Sequence, residues 1–326
     1  MKQEEVIKMR MGMRMKKTLI ILLKSLGVIA IIIGLFLAIV FIVNMISNKS
    51  EQGKIETYGQ LVSVDGKNMN VMIQGKGDET VVLLPGYGTA APALDFKPLV
   101  DELSPFYKVV VIEPFGYGLS DVTEKVRSTD NIVSEIHEAL QSLNIDRYIL
   151  MGHSIAGIYG LDYVNKYENE VSAFVGIDSS VPTQGGMDTQ FPIKTIKLLQ
   201  KSGFVRLIMK LSPDPYATLP FDDKTKEQMR FLALKNMNNT STLNEMVNFY
   251  PNFKAAEKLS FPKDLPLILF VQANNTDVDK WIPLHEEQVK DSVHGKMIKL
   301  EGEHYLHHTQ SKEIVENFRA FMEEIK

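Results

Sequence analysis

The chain opens on an unbroken apolar stretch and then turns to alternating patterns. From Ser25 to Ile46 there are 22 residues without a charge, which at about 1.5 Å of rise each cover the roughly 30 Å hydrocarbon layer of a bilayer. One membrane-spanning helix is predicted over residues 25–46. Ser47 to Lys54 is polar with one glycine and reads as the start of a tether reaching residue 58. After it the period changes to two. Gly59–Val64 and Asn68–Gln74 alternate apolar with polar around Asp65-Gly66, a hairpin signal. Thr80–Leu84, Lys108–Glu113, Asp146–Met151, Ala173–Asp178, Leu265–Gln272 and Lys296–Leu300 are short apolar runs suited to buried strands. Helical spacing lies between them at Asn131–Leu143, Ile158–Tyr167 and Leu284–Val293, with a last helix at Lys312–Ile325. Strands alternating with helices predict an α/β fold, a mostly parallel sheet covered on both faces.

From Val181 to about Pro262 the alternation stops, and helical pieces such as Ile193–Leu211 and Lys224–Asn236 predict a helical cap inserted over the carboxyl edge of the sheet. The expected organisation is a basic cytoplasmic segment 1–24, an anchor 25–46, a tether 47–58, and a folded domain 59–326 with its cap at about 182–262. Lys2, Lys8, Arg10, Arg14, Lys16, Lys17 and Lys24 precede the apolar stretch, whereas Lys49 and Lys54 are the only basic residues soon after it. The positive-inside rule therefore places the N-terminus in the cytoplasm and the folded domain outside. A cleavable signal peptide would need a shorter apolar region and a small-residue cleavage site, which Val43-Asn44-Met45-Ile46-Ser47-Asn48 does not offer.

Composition narrows the chemistry. The 36 basic and 40 acidic side chains nearly balance, and the folded part has no basic stripe for a nucleic acid. There is no cysteine, which removes disulfides, thiolate metal sites and a cysteine nucleophile. Gly86–Gly88 and Gly116–Gly118 lack the spacing of a phosphate-cradling loop. No metal cluster is evident, and no cofactor is implied.

One serine stands out by position. Leu150-Met151-Gly152-His153-Ser154-Ile155-Ala156-Gly157 sets Ser154 among small residues, directly after a predicted strand and before a predicted helix. A turn there lifts the hydroxyl above the carboxyl edge of the sheet. A serine hydroxyl is a poor nucleophile, so the chemistry calls for an imidazole to take its proton and a carboxylate to orient that imidazole.

Four segments, in order along the chain, resemble the α/β-hydrolase family from about Gly59 onward. Gly152 to Gly157 is similar to its nucleophile elbow, with Ala156 where glycine is usual. Leu83-Leu84-Pro85-Gly86-Tyr87-Gly88 resembles its oxyanion loop, with Pro85 where histidine is usual, and Glu113 to Ser120 resembles its Asp-x-x-Gly-x-Gly-x-Ser turn. Gly302-Glu303-His304 resembles the Gly-x-His loop after the last strand. The resemblance implies Ser154 as nucleophile, His304 as base, and the backbone N–H groups of Tyr87 and Ile155 as oxyanion donors. His307 and His308 compete with His304 nearby, and His153 is read as structural.

The acid has two readings. Where the family's usual aspartate is expected after the seventh strand, this chain has Asn275, with Asp277 and Asp279 just beyond. Some family members take the acid from the end of the strand after the nucleophile helix, which here is Asp178. The resemblance thus implies a membrane-tethered serine hydrolase acting on a small ester or related acyl substrate, which lipid-like compounds would satisfy if the aromatic residues of the cap line a lid. A peptidase or acyltransferase would use the same residues. A non-catalytic binding module is the alternative that the departures at Pro85, Ala156 and Asn275 leave open.

Overall fold

The computed structural model describes residues 2–325. Eight strands form one sheet: β1 (Gln60–Val64), β2 (Lys67–Gln74), β3 (Thr80–Leu84), β4 (Lys108–Glu113), β5 (Tyr148–His153), β6 (Val171–Ile177), β7 (Leu267–Gln272) and β8 (Gly295–Leu300). Their order is β1-β2-β4-β3-β5-β6-β7-β8. The first two strands pair antiparallel, as do β2 and β4, and every other pairing is parallel. The β1–β2 turn has Asp65 at φ 48° and Gly66 at φ 70°. Two positive values in succession define the primed turn whose twist matches a hairpin.

Successive strand residues point to opposite faces, and both faces are covered. Val82, Leu84, Val110, Ile112 and Leu150 enter one core with helices Thr129–Ser142 and Ala156–Lys166. Val81, Leu83, Val109, Val111, Ile149 and Met151 enter the other with helices Lys97–Leu103 and Ser311–Glu324. That is why β3 to β6 read as continuous apolar runs rather than alternating ones. β3 lies between β4 and β5, so the chain leaves it on opposite sides in turn. Ligands of open α/β sheets gather outside the carboxyl ends at such a reversal. The segments after β3 and β5 are the ones carrying Tyr87 and Ser154.

Between β6 and β7 five helices replace the alternation: Ile193–Ser202, Phe204–Leu211, Asp223–Asn236, Thr240–Val247 and Phe249–Ala256. The single helix predicted over Ile193–Leu211 is broken at Gly203, whose φ of 89° leaves the helical region. The N-terminal helix runs over Lys2–Gln52, the one helix among the described residues long and apolar enough to cross a membrane. It continues through residues 47–52, expected as tether, because that segment has no glycine or proline to interrupt the backbone before Gly53. The chain divides into two compact units, one made of the residues up to Ser50 with Thr195–Pro213, the other of Glu51–Lys194 with the chain from Asp214 onward.

Candidate active site

Ser154 follows β5 directly and adopts φ 54°, a left-handed value that is uncommon and costly for a residue with a Cβ. Its neighbours hold it there. Its N–H donates to the Ile177 carbonyl at 3.2 Å, and its carbonyl accepts from the N–H of Ser180 at 2.8 Å and of Gly157 at 2.9 Å. A Cβ on Gly152 would lie 3.1 Å from the Ala156 methyl. The elbow therefore takes alanine at 156 because residue 152 remains glycine.

Gly86 brings the loop after β3 against this turn. A side chain there would meet His153 Nδ1 at 2.6 Å and Ser154 Cβ at 2.9 Å. The next residue, Tyr87, anchors its ring in the cap: the hydroxyl donates to the Thr242 carbonyl at 3.1 Å, and the ring packs edge-on against Phe249 at 4.7 Å. Among the described residues no protein acceptor takes the backbone N–H of Tyr87 or Ile155. Two donors beside a serine and without internal partners are what an oxyanion requires. Ser154, Ile155 and Tyr87 share a cavity of about 260 Å3 whose other walls include Met187, Phe191, Phe249 and Phe253.

Asp178 follows β6 at φ 41° and is completely buried. Its Oδ1 accepts from the Gln272 N–H at 2.9 Å and the Trp281 indole N–H at 2.7 Å, which leaves Oδ2 to meet His304 Nδ1 at 2.6 Å. The His304 side chain is 43% exposed, and its carbonyl lies 3.2 Å from Nε2 of His153, the residue before the serine. Of the two acids expected, the structure brings Asp178 to His304. Asp277 stays exposed on the loop after β7, where the Asn275 side chain accepts its N–H at 3.0 Å. Asp279 is exposed on the same loop. Asn275 is used locally, capping Asp277 and Val278, so no carboxylate is supplied from that strand end.

The surroundings of His304 hold contacts that the sequence did not announce. Asp95 is buried and accepts from His307 Nε2 at 2.7 Å and His308 Nε2 at 2.9 Å. Burial pushes the Asp95 carboxyl up, but the bonds from the two imidazoles outweigh it and hold the group below its usual range. Burial also lowers His307, and lowers His153 together with the nearby His307 and His304 rings. The His153 ring centroid is 4.7 Å from those of His304, Tyr305 and His307. His307 and His308, competitors for the role of base, are thus committed to Asp95. His285 is committed as well, to the carbonyls of Trp281 and Ser179. Asp95, His307 and His308 are the one group among the described residues placed closely enough to share a metal ion, yet each carboxylate oxygen already has its own imidazole, and His307 Nδ1 has no partner to orient it as a ligand. The missed signal was the pair of histidines just after His304, whose partner lies 212 positions away in sequence.

A family model described as the alpha/beta hydrolase fold matches residues 79–209. The uncharacterized protein YbdG of Bacillus subtilis (strain 168) is 31% identical over 262 residues, spanning 78% of this chain and 79% of that protein. The chain belongs to the α/β-hydrolase fold family. This α/β-hydrolase is also similar to the 2-hydroxy-6-oxononadienedioate/2-hydroxy-6-oxononatrienedioate hydrolase of Escherichia coli (strain K12), at 28% identity over 232 residues, 67% of this chain and 78% of that enzyme. Among solved structures, epoxide hydrolase VrEH1 from Vigna radiata matches with a TM-score of 0.63 at 17% identity, over 81% of this chain and 97% of its own. The enol-lactonase from Burkholderia xenovorans LB400 matches with a TM-score of 0.59 at 14% identity, over 81% of this chain and all of its own (100%). At such identities the two structures share the fold of this α/β-hydrolase.

Proposed function

We propose that this α/β-hydrolase is a membrane-anchored serine hydrolase that cleaves an ester or related acyl compound. In this reading Ser154 Oγ attacks the acyl carbon while His304 Nε2 takes its proton, and Asp178 stabilises the imidazolium that forms. The N–H groups of Tyr87 and Ile155 receive the oxyanion. Collapse breaks the acyl–oxygen bond, and the proton on His304 passes to the departing alcohol. Water then attacks the acyl-serine with His304 again as base, which regenerates the hydroxyl and releases the acid. The observation that carries the reading is the 2.6 Å contact between Asp178 and His304, because a buried carboxylate holding Nδ1 leaves Nε2 for proton transfer.

The apolar walls of the serine cavity, Met187, Phe191, Phe249 and Phe253, favour an acyl group of small to medium size over a charged one. The hydrolase named among the relatives supports the reaction class. Helix Lys2–Gln52 serves as the bilayer anchor, with its basic end in the cytoplasm and the catalytic domain outside.

The test is labelling of the full chain by a fluorophosphonate, with turnover of a p-nitrophenyl ester alongside. Modification of Ser154, and loss of both signals in Ser154→Ala, are expected. A folded protein that neither labels nor turns over any acyl ester would reject catalysis in favour of a binding module.

A further inference from the structure

Between Asp188 and Asp214 the chain has no acidic residue and carries Lys194, Lys197, Lys201, Arg206 and Lys210. The same stretch forms helices Ile193–Ser202 and Phe204–Leu211, and it exposes large apolar side chains among the lysines. Leu198 is 66% exposed, Ile208 53% and Leu211 79%. Basic and apolar groups mingled on a short helix pair suit neither a dry core nor water. They suit the boundary between headgroups and acyl chains.

The helix pair is joined to the anchor. Phe36, Val40, Asn44 and Asn48 are spaced at steps of four, so they share one face of helix Lys2–Gln52. That face meets the turn between the two short helices. The rings of Phe36 and Phe204 lie edge to face at 6.2 Å. A side chain on Gly203 would strike Asn44 Cβ at 2.6 Å and the Val40 carbonyl at 2.9 Å, so the backbones are in close approach. Val40 is buried there. Arg206 Nε donates to Asn44 Oδ1 at 3.0 Å, and Arg206 also donates to Asn48 Oδ1. These contacts give the polar Asn44, inside the apolar stretch, a partner near its outer end. They also fix the level of the helix pair, since residues 36–48 comprise the outer half of the predicted span and the first two polar residues beyond it, Ser47 and Asn48.

We infer that residues 193–211 are a second membrane contact: an interfacial helix pair, docked on the outer end of the anchor, that sets its apolar residues among lipid chains and its lysines against anionic headgroups. The inference rests on the reading of helix Lys2–Gln52 as membrane-spanning. Juxtaposed lysines gain from an anionic surface, and the gain falls away within a Debye length.

The absence of cysteine makes the test direct. Single cysteines (I33C, L61C, L198C, L211C) in the full chain carry an environment-sensitive fluorophore in nanodiscs of phosphatidylcholine, with or without phosphatidylglycerol. Quenching by lipid-attached nitroxide is compared with quenching by iodide in water. Positions 33, 198 and 211 are expected to respond to the lipid quencher and position 61, on β1, to iodide. Phosphatidylglycerol should raise the lipid response at 198 and 211 several-fold. K194Q/K197Q/K201Q/K210Q should remove that rise and leave position 33 unchanged. Iodide quenching at 198 and 211 with lipid quenching at 33 overturns the inference alone. Protection from both quenchers means that a second copy of the chain covers the face, and overturns it too, as does indifference to phosphatidylglycerol. No lipid response at position 33 overturns the spanning anchor itself.

Discussion

Asp178 and His304, 126 positions apart in sequence, meet at 2.6 Å, Oδ2 to Nδ1. The carboxylate is fixed from its other side by Gln272 and Trp281, so it presents one oxygen in one direction. Asp178→Asn keeps the shape but offers an amide that stabilises the wrong imidazole tautomer, and a fall in kcat of about 10⁴ is expected. Asp277→Asn should leave kcat unchanged, since its residue is exposed and bonded only through its backbone. Ester turnover by the two variants decides between them; equal losses would contradict the assignment of Asp178.

Trp281 tests the same carboxylate from behind. Its indole N–H reaches Asp178 Oδ1 at 2.7 Å, and it is the sole tryptophan of the chain. Trp281→Phe keeps an aromatic side chain but removes the donor and one of the two fused rings, leaving a buried acceptor less satisfied at a cost of about 1–3 kcal/mol, with the cost of the vacated core volume added to it. Urea unfolding should show a lower midpoint with an unchanged slope. A stability equal to the parent would mean that the bond contributes nothing.

Gly86 carries a prediction about the loop after β3 and its proposed role. A methyl at 86 must push against His153 Nδ1 and Ser154 Cβ, both closer than 3 Å, and the loop with the Tyr87 N–H must give way. Gly86→Ala is expected to lose about 10² to 10³ in kcat, the usual effect of an absent oxyanion donor, with the fold retained by circular dichroism. Full activity would remove Tyr87 from the proposed oxyanion hole.

These variants concern contacts of different visibility in the sequence. Thr80–Leu84 and Lys108–Glu113 coincide with β3 and β4, because strands buried on both faces leave a plain apolar run. Ser154 was legible because an elbow is local, a strand, one turn and a helix within about a dozen residues. The acid was not. Asp178 and Asp277 both end or follow a strand, and only tertiary distance tells which one reaches an imidazole more than a hundred residues from Asp178. The pairing of Asp95 with His307 and His308 left no local trace for the same reason. Gly203 was legible in principle, as a glycine inside a helical pattern, but the periodicity on either side concealed the break.

The buried imidazoles beside His304 give the folded protein a particular acid response. His153 and His307 are both fully buried, and burial lowers their proton affinity in the folded state. Unfolded, each would titrate near the ordinary value of about 6.5. Above that pH neither state holds the proton, so neither ring affects stability. Below it the unfolded chain binds protons that the folded chain refuses, and unfolding free energy falls by about 1.4 kcal/mol per pH unit for each ring. Asp95 acts in the same direction further down. Its folded carboxyl is held below its usual range, so its contribution is present above about pH 4 and lost as pH falls further. Stability measured by urea unfolding at pH 7, 6 and 5 should therefore drop before most carboxylates begin to titrate. His307→Gln, which can still donate to Asp95, should reduce the slope between pH 6 and 5 by about one proton. A parent whose stability is flat from pH 7 to 5 would show that these rings take up protons freely when folded, against the burial and packing described.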